Sequence, residues 1–172
     1  MIKNPKVGII MGSDSDLEVF AEAAKVLEEF GVPYDITVGS AHRSPERVKD
    51  YSEGARERGV KVLIAGAGGA AHLAGVVAAH TTLPVVGLPV KAKALDGLDS
   101  LLSTVNMPPG VPVATVGINA GKNAGLLAVQ IMAVTDKDLE EKLAQYKNKM
   151  AKDNEDKGNK LSEIGYKKYL KQ

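Results

Sequence analysis

Hydrophobic positions along this chain alternate between two rhythms. Val7–Met11 is a near-continuous apolar run, as expected of a strand buried on both faces. After Gly12-Ser13-Asp14-Ser15-Asp16 the spacing becomes helical. Leu17, Phe20, Ala24 and Leu27 share one face of a helix ending at Phe30, before Gly31 and Pro33. The pattern then repeats. A strand over 34–38 precedes a helix from Pro45 towards Arg58, with Val48, Tyr51 and Ala55 inward and Gly59 as its stop. A strand over 60–64 precedes a small-residue helix ending near His80, and a strand over 84–88 precedes a short helix over 98–105. Met107-Pro108-Pro109-Gly110 reads as a turn, followed by a strand over 111–116 and a helix over 123–134 with Ala124, Leu127 and Ile131 inward.

Five strand–helix alternations predict an α/β fold, a three-layer doubly wound parallel sheet. Right-handed crossovers and a supply of five strands favour the flavodoxin-like order 2-1-3-4-5 over a six-strand sheet. From Asp136 the chain changes character. Leu139, Leu143, Tyr146 and Met150 fall on one face of a Lys/Glu-rich helix, Asp153–Asn159 reads as a polar break, and Leu161, Ile164 and Tyr169 mark a last amphipathic helix. Such a tail has too little apolar surface to fold alone. The expected division is an α/β catalytic domain over 1–135 and a helical tail over 136–172, docked on the core or on a neighbouring subunit.

Composition narrows the function classes. The 172 residues suit one sizeable core, and 44% apolar with 25% charged is an ordinary globular balance. A net charge of +1 supplies no field to recruit nucleic acid or an anionic membrane. Without cysteine there is no disulfide or thiolate chemistry, which fits a reducing compartment. Aromatic residues are 4% with no Trp, leaving few platforms for stacking bases or a flavin. Met1-Ile2-Lys3-Asn4-Pro5-Lys6 leads into the first strand without a signal-peptide pattern, and no apolar run is long enough to span a bilayer. A cytoplasmic location is expected.

In the 2-1-3 order the loops after the first three strands open side by side at the carboxyl edge, where open α/β sheets bind ligands. The first loop sets Ser13 and Ser15 at a helix N-terminus, fitting either helix capping or an anion site. Asp16 is either a first-turn carboxylate favoured by the dipole or, aimed inward, a partner for sugar hydroxyls. The second loop is Ser40-Ala41-His42-Arg43, with Ser44 and Pro45 as N-cap and first helical residue. An imidazole beside a permanent cation fits proton transfer on an anionic substrate. The third loop, Ala65 to His72, carries Gly66, Gly68 and Gly69. It lacks both the spacing of a dinucleotide fingerprint and the Lys of a phosphate-binding loop. Its glycines fit close backbone approach to a flat ligand, or close helix–sheet packing. His72 either reaches the pocket or caps locally, and His80 reads as a dipole partner at a helix end. Three scattered histidines make no structural metal site. Taken together, the loops describe a site for a phosphorylated, ribose-like ligand. Arg43 and the first helix would take phosphate, Asp16 hydroxyls, Gly68 and Gly69 the ring, and His42 would move protons.

Met11-Gly12-Ser13-Asp14-Ser15-Asp16, Ser40-Ala41-His42-Arg43-Ser44-Pro45 and Ala65-Gly66-Ala67-Gly68-Gly69-Ala70-Ala71-His72-Leu73 closely resemble the N5-carboxyaminoimidazole ribonucleotide mutases of de novo purine synthesis. The likeness continues through Gly87-Leu88-Pro89-Val90, Leu98–Ser103, Met107-Pro108 and Asn123–Ala128. It implies an isomerase that moves a carboxylate from the exocyclic amine of the ribonucleotide to ring carbon C4, with no metal or organic cofactor. His42 matches the family's catalytic His, and Ser13, Asp16 and Arg43 match its substrate-binding positions; Ser15, Ser40, Gly68, Gly69 and His72 complete the expected site. A homo-octamer is implied, with neighbouring subunits completing each active site. The related carboxylases that use free CO2 carry Arg-Ser-Asn in the third loop, which this chain lacks. Family members usually have Ser where Ala92 and Asp96 stand, and Ile118–Asn123 is shorter than in many of them. Two other readings of the fold are a flavin electron carrier and a receiver-type module. The shortage of aromatics disfavours the first, and Ala65 stands where the second needs a carboxylate.

Overall fold

The computed structural model describes residues 4–171. Met1–Lys3, part of the expected lead into the first strand, and Gln172 lie outside the described residues. Five strands form one parallel sheet of order β2-β1-β3-β4-β5. They are β1 Val7–Met11, β2 Tyr34–Val38, β3 Val62–Gly66, β4 Val85–Gly87 and β5 Ala114–Thr115. The helices are α1 Leu17–Glu29, α2 Pro45–Glu53, α3 Leu73–Ala79, α4 Leu98–Val105, α5 Gly121–Ala133, α6 Lys137–Ile164 and α7 Tyr166–Tyr169.

Every residue of β1 and β3 is buried, which is why both read as unbroken apolar runs. Strand residues alternate between faces. Ile10, Leu63, Ala65 and Val85 pack with Val48 of α2 and with Leu73, Ala74 and Val77 of α3. On α1, Phe20, Ala23, Ala24, Val26 and Leu27 are buried. Helix α5 approaches α1 through glycine: a Cβ on Gly121 would stand 2.0 Å from the Val19 carbonyl oxygen. Edge strand β2 leaves Ile36 and Val38 exposed.

Several boundaries differ from the expectations, each for a local reason. Leu17 is exposed rather than on the buried face, because α1 starts there after a 3-10 turn over Asp14–Asp16 that changes the helical phase. Helix α2 ends at Glu53, short of Arg58, since the Arg58 guanidinium takes the Tyr51 carbonyl and Gly54 is a weak helix former. Strand β3 begins at Val62, two residues later than expected, because the Val60 amide donates to the Ala55 carbonyl as a helix-terminating turn. Strand β5 keeps only Ala114 and Thr115, its approach being occupied by Pro108, Pro109 and Pro112.

The chain divides into two compact units, one up to Met132 and one from Ala133. In the second unit no break occurs at Asp153–Asn159. Helix α6 runs 28 residues without interruption, with Asp136 capping the Leu139 amide and Lys149 pairing with Asp153 one turn on. Leu161 and Ile164 belong to α6, and only Tyr169 falls in the short last helix after Gly165. Leu139 and Leu143 are buried, whereas Met150 is exposed.

Gly66 shows how tight the sheet is at the carboxyl edge. A Cβ there would meet the Leu88 carbonyl oxygen at 1.9 Å, a backbone contact that cannot rotate away. Gly66→Ala is expected to lower unfolding free energy by about 3 kcal/mol, the upper end of overpacking costs. Urea denaturation checks this, and an unchanged midpoint would contradict the packing described.

Candidate active site

Because β1 lies between β2 and β3, the loops that leave their carboxyl ends meet. The first loop is organised by Ser13. Its hydroxyl accepts from the Ser15 amide at 3.3 Å and from the Ser15 hydroxyl at 2.9 Å, capping the 3-10 turn. Asp16 closes that turn at 9% exposure, so it points inward and does not lie on the surface. Its nearest polar partner is the Ser15 hydroxyl, at 3.3 Å. Burial pushes its carboxyl above the usual range, and hydrogen bonds from the Ser15 side chain and the Ser13 backbone only partly offset this.

The second loop folds on itself. Ser44 stands at the N-cap position with Pro45 next, but its hydroxyl turns back, accepting the Ser40 amide at 3.0 Å and donating to the Ser40 carbonyl. The Ser40 hydroxyl in turn accepts from Arg43 Nε at 3.3 Å. Arg43 Nη2 donates across to the Gly12 carbonyl at 3.0 Å, tying the second loop to the first. The third loop is tied to the first by Gly12, whose amide donates to Gly66 at 3.0 Å. It then runs beside the chain following β4, where the Val90 amide donates to Ala67.

His72 reaches the pocket and makes no side-chain cap on α3. Its Nδ1 lies 2.8 Å from Nε2 of His42, with ring centroids 5.0 Å apart and ring planes at 84°. One imidazole donates and the other accepts, in a single N–H···N hydrogen bond. His80 is not part of this group. It ends α3 and faces Glu53 at 3.3 Å.

These loops enclose a cavity of about 410 Å³. Of the residues expected at the site, Ser13, Ser15, Asp16, Ser40, His42, Arg43, Gly68 and His72 line it. Gly69 does not line it. It takes the left-handed turn of the loop at φ +66°. Gly12, Ala41, Ala67, Ala70, Leu73 and Ala92 complete the wall. Ala92 belongs to a loop that turns through Leu95, Asp96 and Gly97, all at positive φ, and is clasped by a Lys91–Asp96 pair at 2.7 Å. Ala92 comes from the loop after β4, the strand beside β3, which the three-loop reading of the site did not include. Among the described residues no three His, Asp or Glu side chains gather as a metal-ligand set.

The arrangement sets one cation, one inward carboxylate, helix-start hydroxyls and a hydrogen-bonded imidazole pair around a small, backbone-walled chamber. Such a chamber can hold an anionic, hydroxylated ligand and exchange a proton with it.

Residues 6–153 match the AIR carboxylase family. The chain is 58% identical over 168 residues to the N5-carboxyaminoimidazole ribonucleotide mutase of Pyrococcus horikoshii, covering 98% of this chain and 95% of that protein. It is 56% identical over 168 residues to the protein of the same name from Thermotoga maritima, covering 98% of each. Among solved structures it resembles Treponema denticola PurE, with a TM-score of 0.83 and 31% identity over 91% of this chain and 98% of that one.

The buried Asp16 carboxyl yields a test of sign. The folded state holds its proton more tightly than the unfolded chain does. Stability therefore falls as pH rises through the interval between the unfolded and the higher folded value. Asp16→Asn is expected to raise the melting temperature at pH 7, with the gain shrinking as pH is lowered through that interval. Thermal scans across pH check this, and a gain that grows on acidification would contradict it.

Proposed function

The chain belongs to the AIR carboxylase family, and we propose that it converts N5-carboxyaminoimidazole ribonucleotide to 4-carboxyaminoimidazole ribonucleotide in de novo purine synthesis. The observation that carries this reading is the meeting of the three loops in one chamber with His42 at its mouth. Each loop supplies a different part of the recognition such a substrate needs.

Arg43 and the helix-start hydroxyls of Ser13 and Ser15 take the phosphate, and Asp16 takes ribose hydroxyls. Gly68 and the alanine wall lie against the imidazole ring. The reaction begins with His42 protonated. The bond from the exocyclic nitrogen to the carboxyl carbon breaks and CO2 departs. The electron pair stays on nitrogen, which takes the His42 proton. Ring carbon C4 then attacks the retained CO2, forming the new carbon–carbon bond. His42 removes the C4 proton, which restores the aromatic ring and returns the imidazole to its starting state. Atoms and charge balance, and no step draws on a metal or an organic cofactor. The close alanine and glycine wall favours keeping CO2 beside the ring and water away from it.

The active unit is proposed to be a homo-octamer whose neighbouring subunits complete each site, in the cytoplasm. Leu98, Leu102 and Val105 support an assembly, because they form an apolar stripe on α4 with each residue roughly half exposed. No helix is long and apolar enough to cross a membrane, among the described residues. The division into an α/β catalytic domain over 1–135 and a docking tail over 136–172 belongs to the same proposal.

Product analysis from the N5-carboxy substrate in CO2-free buffer tests the reaction. Rapid formation of the 4-carboxy product is expected, whereas turnover only from aminoimidazole ribonucleotide with added CO2 would identify a carboxylase instead. His42→Asn is expected to lower kcat at least about 1,000-fold, within the range for losing a general acid–base. Substrate affinity measured by calorimetry should change by less than about threefold, because the phosphate and ribose contacts remain. Retained turnover in this variant would refute the role given to His42.

A further inference from the structure

We infer that Ser103 is a positioning residue for this reaction: its hydroxyl holds the Gly69–Ala71 turn and, through it, sets His72 against His42. What the histidine pair accomplishes rests on the reading just given; how the pair is held rests on geometry alone.

Ser103 lies in the middle of α4, outside the cavity wall. Its hydroxyl donates to the Asp99 carbonyl one turn back at 2.6 Å, with the Ser100 and Gly69 carbonyls further off at 3.3 and 3.4 Å. That bond orients the hydroxyl and leaves a lone pair for the Ala71 amide, which donates to it at 3.0 Å. Ala71 is fully buried, so its N–H has no water to turn to if Ser103 is removed. Gly69 is at φ +66°, and a Cβ there would meet nothing within 4 Å.

The next residue is His72, whose carbonyl accepts the first α3 bond from Val76. Ala71 is therefore the last point fixed from outside before the His72 ring. The ring meets His42 edge-on at 2.8 Å, a geometry that a small slide of the backbone would break. Helix propensity does not explain a serine here. Mid-helix Ser back-bonded to the preceding turn is mildly unfavourable, and Ala would serve α4 better. The tie to the third loop offsets that cost.

The hydrogen bond between the two imidazoles fixes their mutual orientation. Releasing Ala71 should uncouple them and leave His42 to shuttle protons without a fixed orientation. In Ser103→Ala, kcat is expected to fall about 10- to 100-fold, as for a displacement near 1 Å at a reacting group, while KM stays within about threefold. Ser103→Thr keeps the oxygen and should recover most of the rate. Nitrogen-15 NMR of the imidazoles in substrate-free protein gives the reading that a merely structural role would not move. The ring-nitrogen signals should show the His42 Nε2–His72 Nδ1 hydrogen bond in the parent and in Ser103→Thr, and its loss in Ser103→Ala. Should Ser103→Ala fail to fold, Ser103→Cys, with a similar size and a weak acceptor, is read in the same way.

A His42–His72 hydrogen bond that survives in a folded Ser103→Ala overturns the inference, and so does an unchanged kcat. A parent protein inert on the N5-carboxy substrate, with a His42–His72 hydrogen bond that is still lost in Ser103→Ala, would refute the assigned reaction and leave the positioning role standing.

Discussion

The pairing of β1 with β2 on one side and β3 on the other is the constraint on which the site depends. Met11 sits opposite Val38 and Gly66, so the three strands end level and their loops leave from one place. Level ends alone would leave three separate loops. Arg43 donating to Gly12, and Gly12 donating to Gly66, turn them into one wall. Both bonds need glycine at position 12, where a Cβ would stand 2.9 Å from the Ala67 methyl. Recognition and proton chemistry are thus consequences of strand order and of close backbone approach.

Much of this was legible in the chain. The continuous apolar runs of β1 and β3 announced a parallel sheet, and five alternations gave the strand order. From that order the meeting of the three loops followed, while whether Asp16 and His72 turn into the pocket stayed open. Other features were out of reach for physical reasons. Periodicity says nothing of which direction a first-turn side chain takes, so the burial of Asp16 stayed open. The contact of His42 with His72 spans 30 residues and depends on the exact turn at Gly69. Asp153–Asn159 reads as a break by polarity, yet capping and i,i+4 charge pairs suffice to carry α6 through it. Ser103 looked like an ordinary helix-surface residue, because its importance lies in an amide 32 positions away.

The site also shows where stability has been traded. A carboxylate buried with only neutral partners, the Ser15 hydroxyl and the Ser13 backbone, destabilises the folded protein near neutrality. Arg43, the nearby cation, is turned instead to Gly12 and Ser40. The two charges are kept apart, each free to meet a different part of a ligand. Elsewhere the fold shows the opposite solution. Asp35 is placed beside both the Tyr51 hydroxyl and the Arg58 guanidinium, and that partly buried carboxylate is satisfied.

The alanine and glycine wall has one more consequence, for how such a pocket can change over time. Substrate preference usually drifts by trimming one side chain or enlarging another. Here Gly12, Ala41, Ala67, Gly68, Ala70 and Ala92 leave almost nothing to trim. At Gly68 an added carbon would press on the Val90 carbonyl at 3.2 Å and on the Ala92 methyl at 3.3 Å. Single substitutions can therefore damage this chamber more readily than they can reshape it. A new specificity would require moving the loops themselves, so the shape of the chamber is held by the main chain and shielded from gradual drift.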